Sequence, residues 1–370
     1  MHRIILSLAL ASVLSSCGDG QPLFGDEIAV QADPNGSTAS GDNGSNGSDN
    51  SLSTDGGTPP DTAEPNGTTE PTSQSSIYRY EAENNTSGSG HATSFSYNNS
   101  SGQDELTITG LAFDGTDIYS RGATVSSLNG YSVYDADITV PDFLTGDAVY
   151  QVAPYRAILG LSNNSENGKP RTSFAIVRTG GYVGYGFGGF IYQRESGVVI
   201  PSSGFAVYKG DYSGMRVFDG SGGLEYTTGD MTLNFDFAGF GNGAAVYGSI
   251  INRNAYDQNG NPITIDSDTS DGICDNCLIL PNIRWTIQAG NSVLDENGEI
   301  SGDVFSLYSD QNGDIQNYEN GQFYAILAGD ATDAADGGEV VGVVVITSND
   351  PRLEENVQET GGFILYRSDD

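Results

Sequence analysis

The amino-acid sequence predicts an all-β protein. From Ile77 onward, β-branched and aromatic residues alternate with polar ones. No window of helical length carries an apolar period near 3.6 residues. Gly, Asn and Asp punctuate the apolar runs about every ten residues, the spacing of short strands in a sandwich or barrel. The expected order is a signal over residues 1–16, a disordered tether over 17–76, a β-rich domain over 77–200 and an eight-stranded antiparallel β-barrel over 201–370.

The N-terminus sets the location. Met1-His2-Arg3 is a short basic start, Ile4 to Val13 is mainly apolar, and Leu14-Ser15-Ser16-Cys17 supplies small residues before a cysteine. That is the pattern of a secretory signal, and the run is shorter than the about 20 residues of a membrane-spanning helix. Leu-Ser-Ser-Cys resembles the lipobox of bacterial lipoproteins. The resemblance implies cleavage before Cys17, acyl chains on its sulfur and amine, and attachment to a membrane. The alternative is an ordinary secretory signal followed by a chance cysteine.

Between residues 18 and 76 the chain is rich in Ser, Gly, Asn, Asp, Thr and Pro, with Phe24 as its lone aromatic and no Lys or Arg. Such a segment buries too little apolar surface to offset its ordering entropy. As a flexible coil it spans about 40–45 Å on average.

The chain carries 49 acidic and 14 basic residues, a formal charge of −35. Nucleic-acid backbones and anionic lipid surfaces repel such a molecule, so nucleic acid is excluded as a partner. The acids are spread along the chain, which indicates a solvated surface. Of two histidines, His2 leaves with the signal, so only His91 is left. One histidine argues against histidine-clustered zinc or iron sites and leaves no choice for a Ser-His-Asp triad. His91 is expected to be a plain surface residue. Beyond Cys17, the cysteines are Cys274 and Cys277, spaced to close a small disulfide loop in an oxidising compartment. A redox role needs a strand-helix context that the sequence does not display.

In the first half, Leu106–Thr109, Tyr131–Tyr134 continuing through Asp137–Val140, Phe174–Val177 and Gly189–Tyr192 alternate as strands. In the second half the candidates are Phe205–Tyr208, Met215–Phe218, Met231–Phe237, Ala244–Asn252, Ile283–Ile287, Val304–Tyr308, Gln322–Ala328, Val340–Ile346 and Phe363–Tyr366. These make eight or nine strands, depending on how Met215–Phe218 pairs. Their close spacing suggests an up-and-down meander, and eight strands close into a barrel that side chains fill.

Three short motifs favour structural readings. Asp257, Asp295 and Asp310 each open an Asp-x-Asn-Gly tetrapeptide. An EF-hand needs a further oxygen ligand and a bidentate glutamate, so hairpin turns are expected. Gly184–Gly189 formally matches G-x-G-x-x-G, but aromatic residues alternate through it and the strand pattern continues to Tyr192, so a strand is expected. Asp266–Gly272, leading into Cys274, faintly resembles one acidic repeat of thrombospondin-type proteins. A surface loop pinned by the disulfide is expected there, with a structural calcium as the alternative. No other cofactor and no metal site are expected.

The second half also carries a family resemblance. Thr228–Phe237 runs on to Ala245–Ile250, followed later by Gly321-Gln322-Phe323-Tyr324 and Gly337–Val343. These stretches resemble the C-terminal barrel domain of transferrin-binding protein B and its relatives, over roughly residues 201–370. Ala325 departs from the pattern, standing where the family usually has glycine. The resemblance implies a lipoprotein with a tether, a handle-like β domain (here 77–200) and an eight-stranded barrel. It implies display on the outer membrane, facing the exterior, and capture of a ligand such as an iron-bearing host protein or another host factor.

The function expected is a non-catalytic, lipid-anchored outer-membrane protein that binds a protein or solute ligand, with a link to iron or nutrient acquisition implied by the resemblance. The alternatives are a structural or adhesive surface lipoprotein, a periplasm-facing orientation, and a carbohydrate-active enzyme using paired carboxylates. No two carboxylates are marked by the sequence for a shared cleft.

Overall fold

The computed structural model describes residues 64–368, except 85, 100–103, 113, 142–143, 151–153, 182–183, 239–244, 270–271, 273, 275, 286–287, 290–292, 334 and 354. It holds no α-helix among these residues. The described chain forms a curled antiparallel sheet followed by a closed antiparallel barrel.

The curled sheet contains β1 (Ile77–Tyr80), β2 (Ser94–Asn98), β3 (Glu105–Thr109), β4 (Ile118–Arg121), β5 (Tyr131–Ala136), β6 (Arg156–Leu161), β7 (Thr172–Arg178) and β8 (Gly188–Arg194). Its spatial order is β1-β8-β7-β6-β5-β4-β3-β2. Folded structure begins before Ile77, inside the stretch read as tether. Asn66 and Gly67 pair with Tyr80 and Arg79, and Val198 N donates to Ser73 O at 2.7 Å. This Ser/Thr-rich segment is held by backbone hydrogen bonds, which need no apolar side chains.

The barrel is built from β9 (Phe205–Phe218), β10 (Ser221–Asp236), β11 (Ala245–Asp257), β12 (Ile283–Trp285), β13 (Glu299–Ser309), β14 (Ile315–Asp330), β15 (Glu339–Asp350) and β16 (Glu355–Ser368). Each pairs with its neighbours in sequence, and β9 closes on β16, so this is an up-and-down meander of eight strands. Phe205–Tyr208 and Met215–Phe218 belong to one strand. Gly210 lies between them with its Cα against the backbone of Ile364, where a Cβ has no room. The glycine is a close approach of two strands.

Side chains fill the barrel in two layers of different chemistry. Toward one end, Tyr208, Leu233, Phe235, Ile250, Trp285, Phe323, Val344 and Phe363 form an apolar core. Toward the other, Arg216, Arg253, Glu319, Asp350 and Glu359 are almost fully buried. Arg253 Nη1 and Nη2 donate to the two oxygens of Glu319 at 2.6 and 3.0 Å, and Nη2 also reaches Glu359 at 2.9 Å. Tyr212 OH and Thr227 Oγ1 donate to the other Glu359 oxygen. Arg216 reaches Asp350 and Glu225. Burial works against the charge of Arg253, but Glu319 and Glu359 outweigh it and hold the guanidinium above its ordinary pKa.

The outer wall of the barrel packs on the curled sheet. Met215, Tyr226, Tyr324, Val341, Val343, Val345 and Ile364 meet Ile158, Phe174, Ile176, Phe190 and Tyr192 in one cluster. β15 is therefore covered on both faces, and its run Val340–Ile346 is apolar at every position except Gly342. β7 is buried throughout for the same reason: its alternate residues face the barrel or a second cluster around Tyr119, Tyr134, Tyr155 and Ile191.

Candidate ligand-binding surface

The sequence pattern through Tyr131–Val140 suggests one continuous strand, but β5 stops at Ala136. Its neighbour β6 starts at Arg156 opposite Asp135, and its other neighbour β4 pairs with it no further than Tyr119 opposite Ala136. The chain instead leaves the sheet and pairs with itself, Thr139–Pro141 against Ala148–Tyr150. This hairpin joins no other sheet among the described residues. Its apolar side chains face solvent: Leu144 is 88% exposed, Tyr150 78% and Ile138 55%. Asp137 and Asp147 are exposed beside them. The root is anchored, because Ala136 N donates to Tyr155 O at 3.0 Å and buried Tyr155 donates its hydroxyl to Ala112 O at 2.7 Å. A prong of aliphatic and aromatic side chains among carboxylates is suited to bury area against a protein surface with basic character.

The scaffold under the prong is stitched together. Arg79 donates to both oxygens of Glu299 at 2.6 and 2.7 Å. Arg178, fully buried, donates to Glu81 and to Thr360. Arg194 reaches the carbonyls of Thr72, Ser75, Asn297 and Leu327, and burial, offset only in part by the charges of Glu299 and Asp295, lowers its pKa to about 10. Glu339, also fully buried, accepts from Ser162, Asn164 and Thr172. Each of these four residues makes at least one contact between sheet and barrel: Arg79 to Glu299, Arg178 to Thr360, Arg194 to Asn297 and Leu327, and Glu339 to Ser162, Asn164 and Thr172.

The residues singled out in the sequence are distributed as follows. Cys17, the signal and residues 17–63 of the tether lie outside the described residues. Cys274 and Cys277 are disulfide-bonded with Cα atoms 5.4 Å apart. Cys274 N donates to Asp266 Oδ2, and Leu278 and Leu280 pack with Ala255, Ile263 and Ile265. The 258–282 excursion also gives Pro281 O to Arg253 at 2.7 Å, tying it to the charged layer of the barrel.

Asp257, Asp295 and Asp310 each accept two backbone amides through Oδ1, two and four residues on, and the following glycines take positive φ. Hydrogen bonds from Asn261 and Asn259 hold the Asp257 carboxyl below its usual range, and those from Asp314 and Asn312 do the same for Asp310. Of the stretch expected as a strand, only Gly188 and Gly189 are in one, opening β8, with no helix after them; Gly184–Phe187 form a turn, with Gly184 and Gly186 at positive φ. His91 is half-buried rather than free on the surface, edge-on to Phe187 with ring centroids 5.2 Å apart. No group of three metal-ligating side chains is assembled among the described residues.

No family model matches the chain, and no curated protein does. Among solved structures, it is similar to two variants of transferrin-binding protein B, a vaccine antigen of Haemophilus parasuis Hp5. The identity is 10%, the TM-scores are 0.32 and 0.34, and the matches cover 79% and 80% of this chain. They cover 51% and 52% of those proteins, so the chain spans about half their length. A protein described as an outer membrane protein of Bacteroides fragilis is similar at 10% identity and TM-score 0.20, over 79% of this chain and 88% of that one.

The prong and the arginine clamps are what sequence reasoning missed. The alternation of residues 131–140 concealed the prong. A signal for the clamps was present: the chain has 12 arginines and two lysines against 49 acids. Arginine is the cation suited to buried, forked hydrogen bonding.

Proposed function

We propose that this chain is a lipid-anchored outer-membrane protein that faces the exterior and captures a protein ligand without catalysis. The observation that carries the reading is the prong: apolar side chains in solvent on a hairpin that leaves the sheet where Ala136 and Tyr155 are hydrogen-bonded. Isolated exposed hydrophobes need no explanation, but a cluster on a self-paired hairpin does. The Leu-Ser-Ser-Cys signal and the polar segment after it support attachment at Cys17, at a distance set by that segment. The acid excess favours a ligand with a basic face and steers its approach.

The test compares the mature chain carrying Cys17→Ser with the same chain carrying Ile138→Ser, Leu144→Ser and Tyr150→Ser. Both are used to capture proteins from growth medium and host fluids. A protein retained by the first is purified and its affinity measured for both. The reading expects at least about tenfold weaker binding by the triple variant. Equal affinity would move the binding surface elsewhere, and capture of nothing by either would count against the reading.

A further inference from the structure

We infer that the seam between the curled sheet and the barrel is a binding site for a neutral oligosaccharide. The inference is independent of the prong. Leu224, Tyr226 and Thr228 lie on one face of β10 and line two clefts in succession. The first, about 460 Å³, is bordered by Thr124, Ser126, Ser127, Tyr256 and Asn259. The second, about 520 Å³, has Arg156 in its wall and is edged by Gly220, Gly222, Gly223 and Ser221. Each lies within the size range of small-ligand sites, about 300–1,000 Å³.

Arg156, in the wall of the second cleft, is hydrogen-bonded to Tyr226 of the first. It donates to Tyr226 OH at 3.2 Å and to Gln258 O at 2.8 Å, and so forms a step between the clefts. Asp135 lies 3.9 Å from its Nε and offsets its charge. The remaining lining is uncharged. Among the described residues, the hydroxyls of Thr124, Ser126, Ser127, Thr228 and Tyr256 make no hydrogen bond to protein. Five hydroxyls with open hydrogen-bonding capacity thus border one recess.

This lining selects by chemistry. Hydroxyl and amide groups exchange hydrogen bonds with sugar hydroxyls in either direction. Tyr256, half-buried against the cluster between sheet and barrel, adds an aromatic side chain to the lining, the kind of group on which the C–H side of a pyranose packs. The acid excess of the chain disfavours polyanions, and the apolar part of the lining is too small to house an acyl chain. The succession of two recesses along one strand fits a linear chain of sugars bending over Arg156.

The lining also provides clean tests. Gly222 has an ordinary negative-φ backbone, and a Cβ there meets only Gly180 O, at 3.8 Å. Gly222→Trp fills the second recess without disturbing the fold, and Ser126→Trp fills the first from an exposed position. Binding of maltotetraose, cellotetraose, laminaritetraose, xylotetraose and chitotetraose is measured by calorimetry and saturation-transfer NMR on the full mature chain carrying Cys17→Ser, with a heparin tetrasaccharide as the anionic control. At least one neutral sugar is expected to bind with a Kd below about 1 mM. Each Trp variant is expected to weaken it by about tenfold or more at an unchanged melting temperature, while Ile315→Ser, at an exposed residue outside both linings, leaves it unaltered. No binding by any neutral sugar at about 10 mM, binding that survives both Trp variants, or preference for the heparin fragment would each overturn the inference.

Discussion

The ring of Phe174, on the curled sheet, lies so close to Gly362, on the barrel, that a Cβ at Gly362 has no room. Sheet and barrel meet across this contact, with Tyr131 edge-on to the same ring at 4.9 Å between centroids. Tyr131 OH in turn accepts from Ile364 N at 2.8 Å. The glycine is a requirement of packing between layers.

Gly362→Ala is expected to destabilise the protein by about 1–3 kcal/mol through overpacking. Phe174→Ala is expected to cost about 3–5 kcal/mol through the cavity it leaves. The double variant should lose less than the sum, with a coupling of about 0.5–3 kcal/mol measured by urea denaturation. Strict additivity would mean that the two surfaces are not in contact in solution. The same interface predicts one cooperative unfolding transition for sheet and barrel together.

Glu319→Gln tests the charged layer of the barrel. It removes the charge facing Arg253 while keeping the shape, and breaking such a buried pair costs about 3–5 kcal/mol. The same layer gives the acid limb of stability. Burial raises the Asp350 carboxyl, but hydrogen bonds from Arg352 and the charge of Arg216 outweigh it and hold the group below its usual 3.8. A depressed carboxyl contributes stability that is present above its unfolded pKa and lost as pH falls through the folded one. Asp350→Asn should therefore flatten the loss of stability below pH about 4.

Asp114 predicts the opposite sign. Burial, reinforced by Asp117, pushes its carboxyl up to about 6, although Tyr119 OH donates to it at 3.1 Å. A carboxyl raised in the folded state contributes stability that is full below the unfolded value of 3.8 and lost as pH rises through about 6. Asp114→Asn is expected to stabilise the protein at pH 7 by on the order of 1 kcal/mol and to be neutral at acid pH. Carbon-13 NMR titration of the Asp114 carboxyl checks the midpoint, and a midpoint near 4 would refute this prediction.

These residues also mark how far the sequence could be read. Alternation exposed the all-β class, and the continuous apolar run Val340–Ile346 fits a strand buried on both faces. The long strand β9 was harder to see. Lys209, Gly210 and Asp211 break its apolar pattern, and Arg216 is a charge at an interior position, paired there with Glu225 and Asp350. No local pattern distinguishes such an arginine from a surface one, because its partners lie up to 134 positions away in sequence. The hairpin at Thr139–Tyr150 was hidden by its own strand-like alternation. The seam clefts arise only where sheet and barrel, distant in sequence, meet.

Salt dependence follows from where the cations sit. Arg79, Arg178, Arg194, Arg216 and Arg253 are committed to internal partners, so they do little to screen the acidic surface. Raising NaCl from about 0.1 to 1 M shortens the screening length from about 10 to 3 Å. The melting temperature is expected to rise over that range, through relief of self-repulsion. A falling melting temperature would mean that surface ion pairs outweigh the repulsion.

Under the proposed function, a lipid at Cys17 holds the lobe outside the cell with its prong in solvent. The direct measurement labels Tyr150→Cys on intact cells with a membrane-impermeant maleimide, in chains with and without Cys17→Ser. Labelling of the anchored chain on whole cells and loss of the Cys17→Ser chain from the membrane fraction are expected. Labelling only after the outer membrane is permeabilised, or full membrane retention without Cys17, would contradict the proposed function.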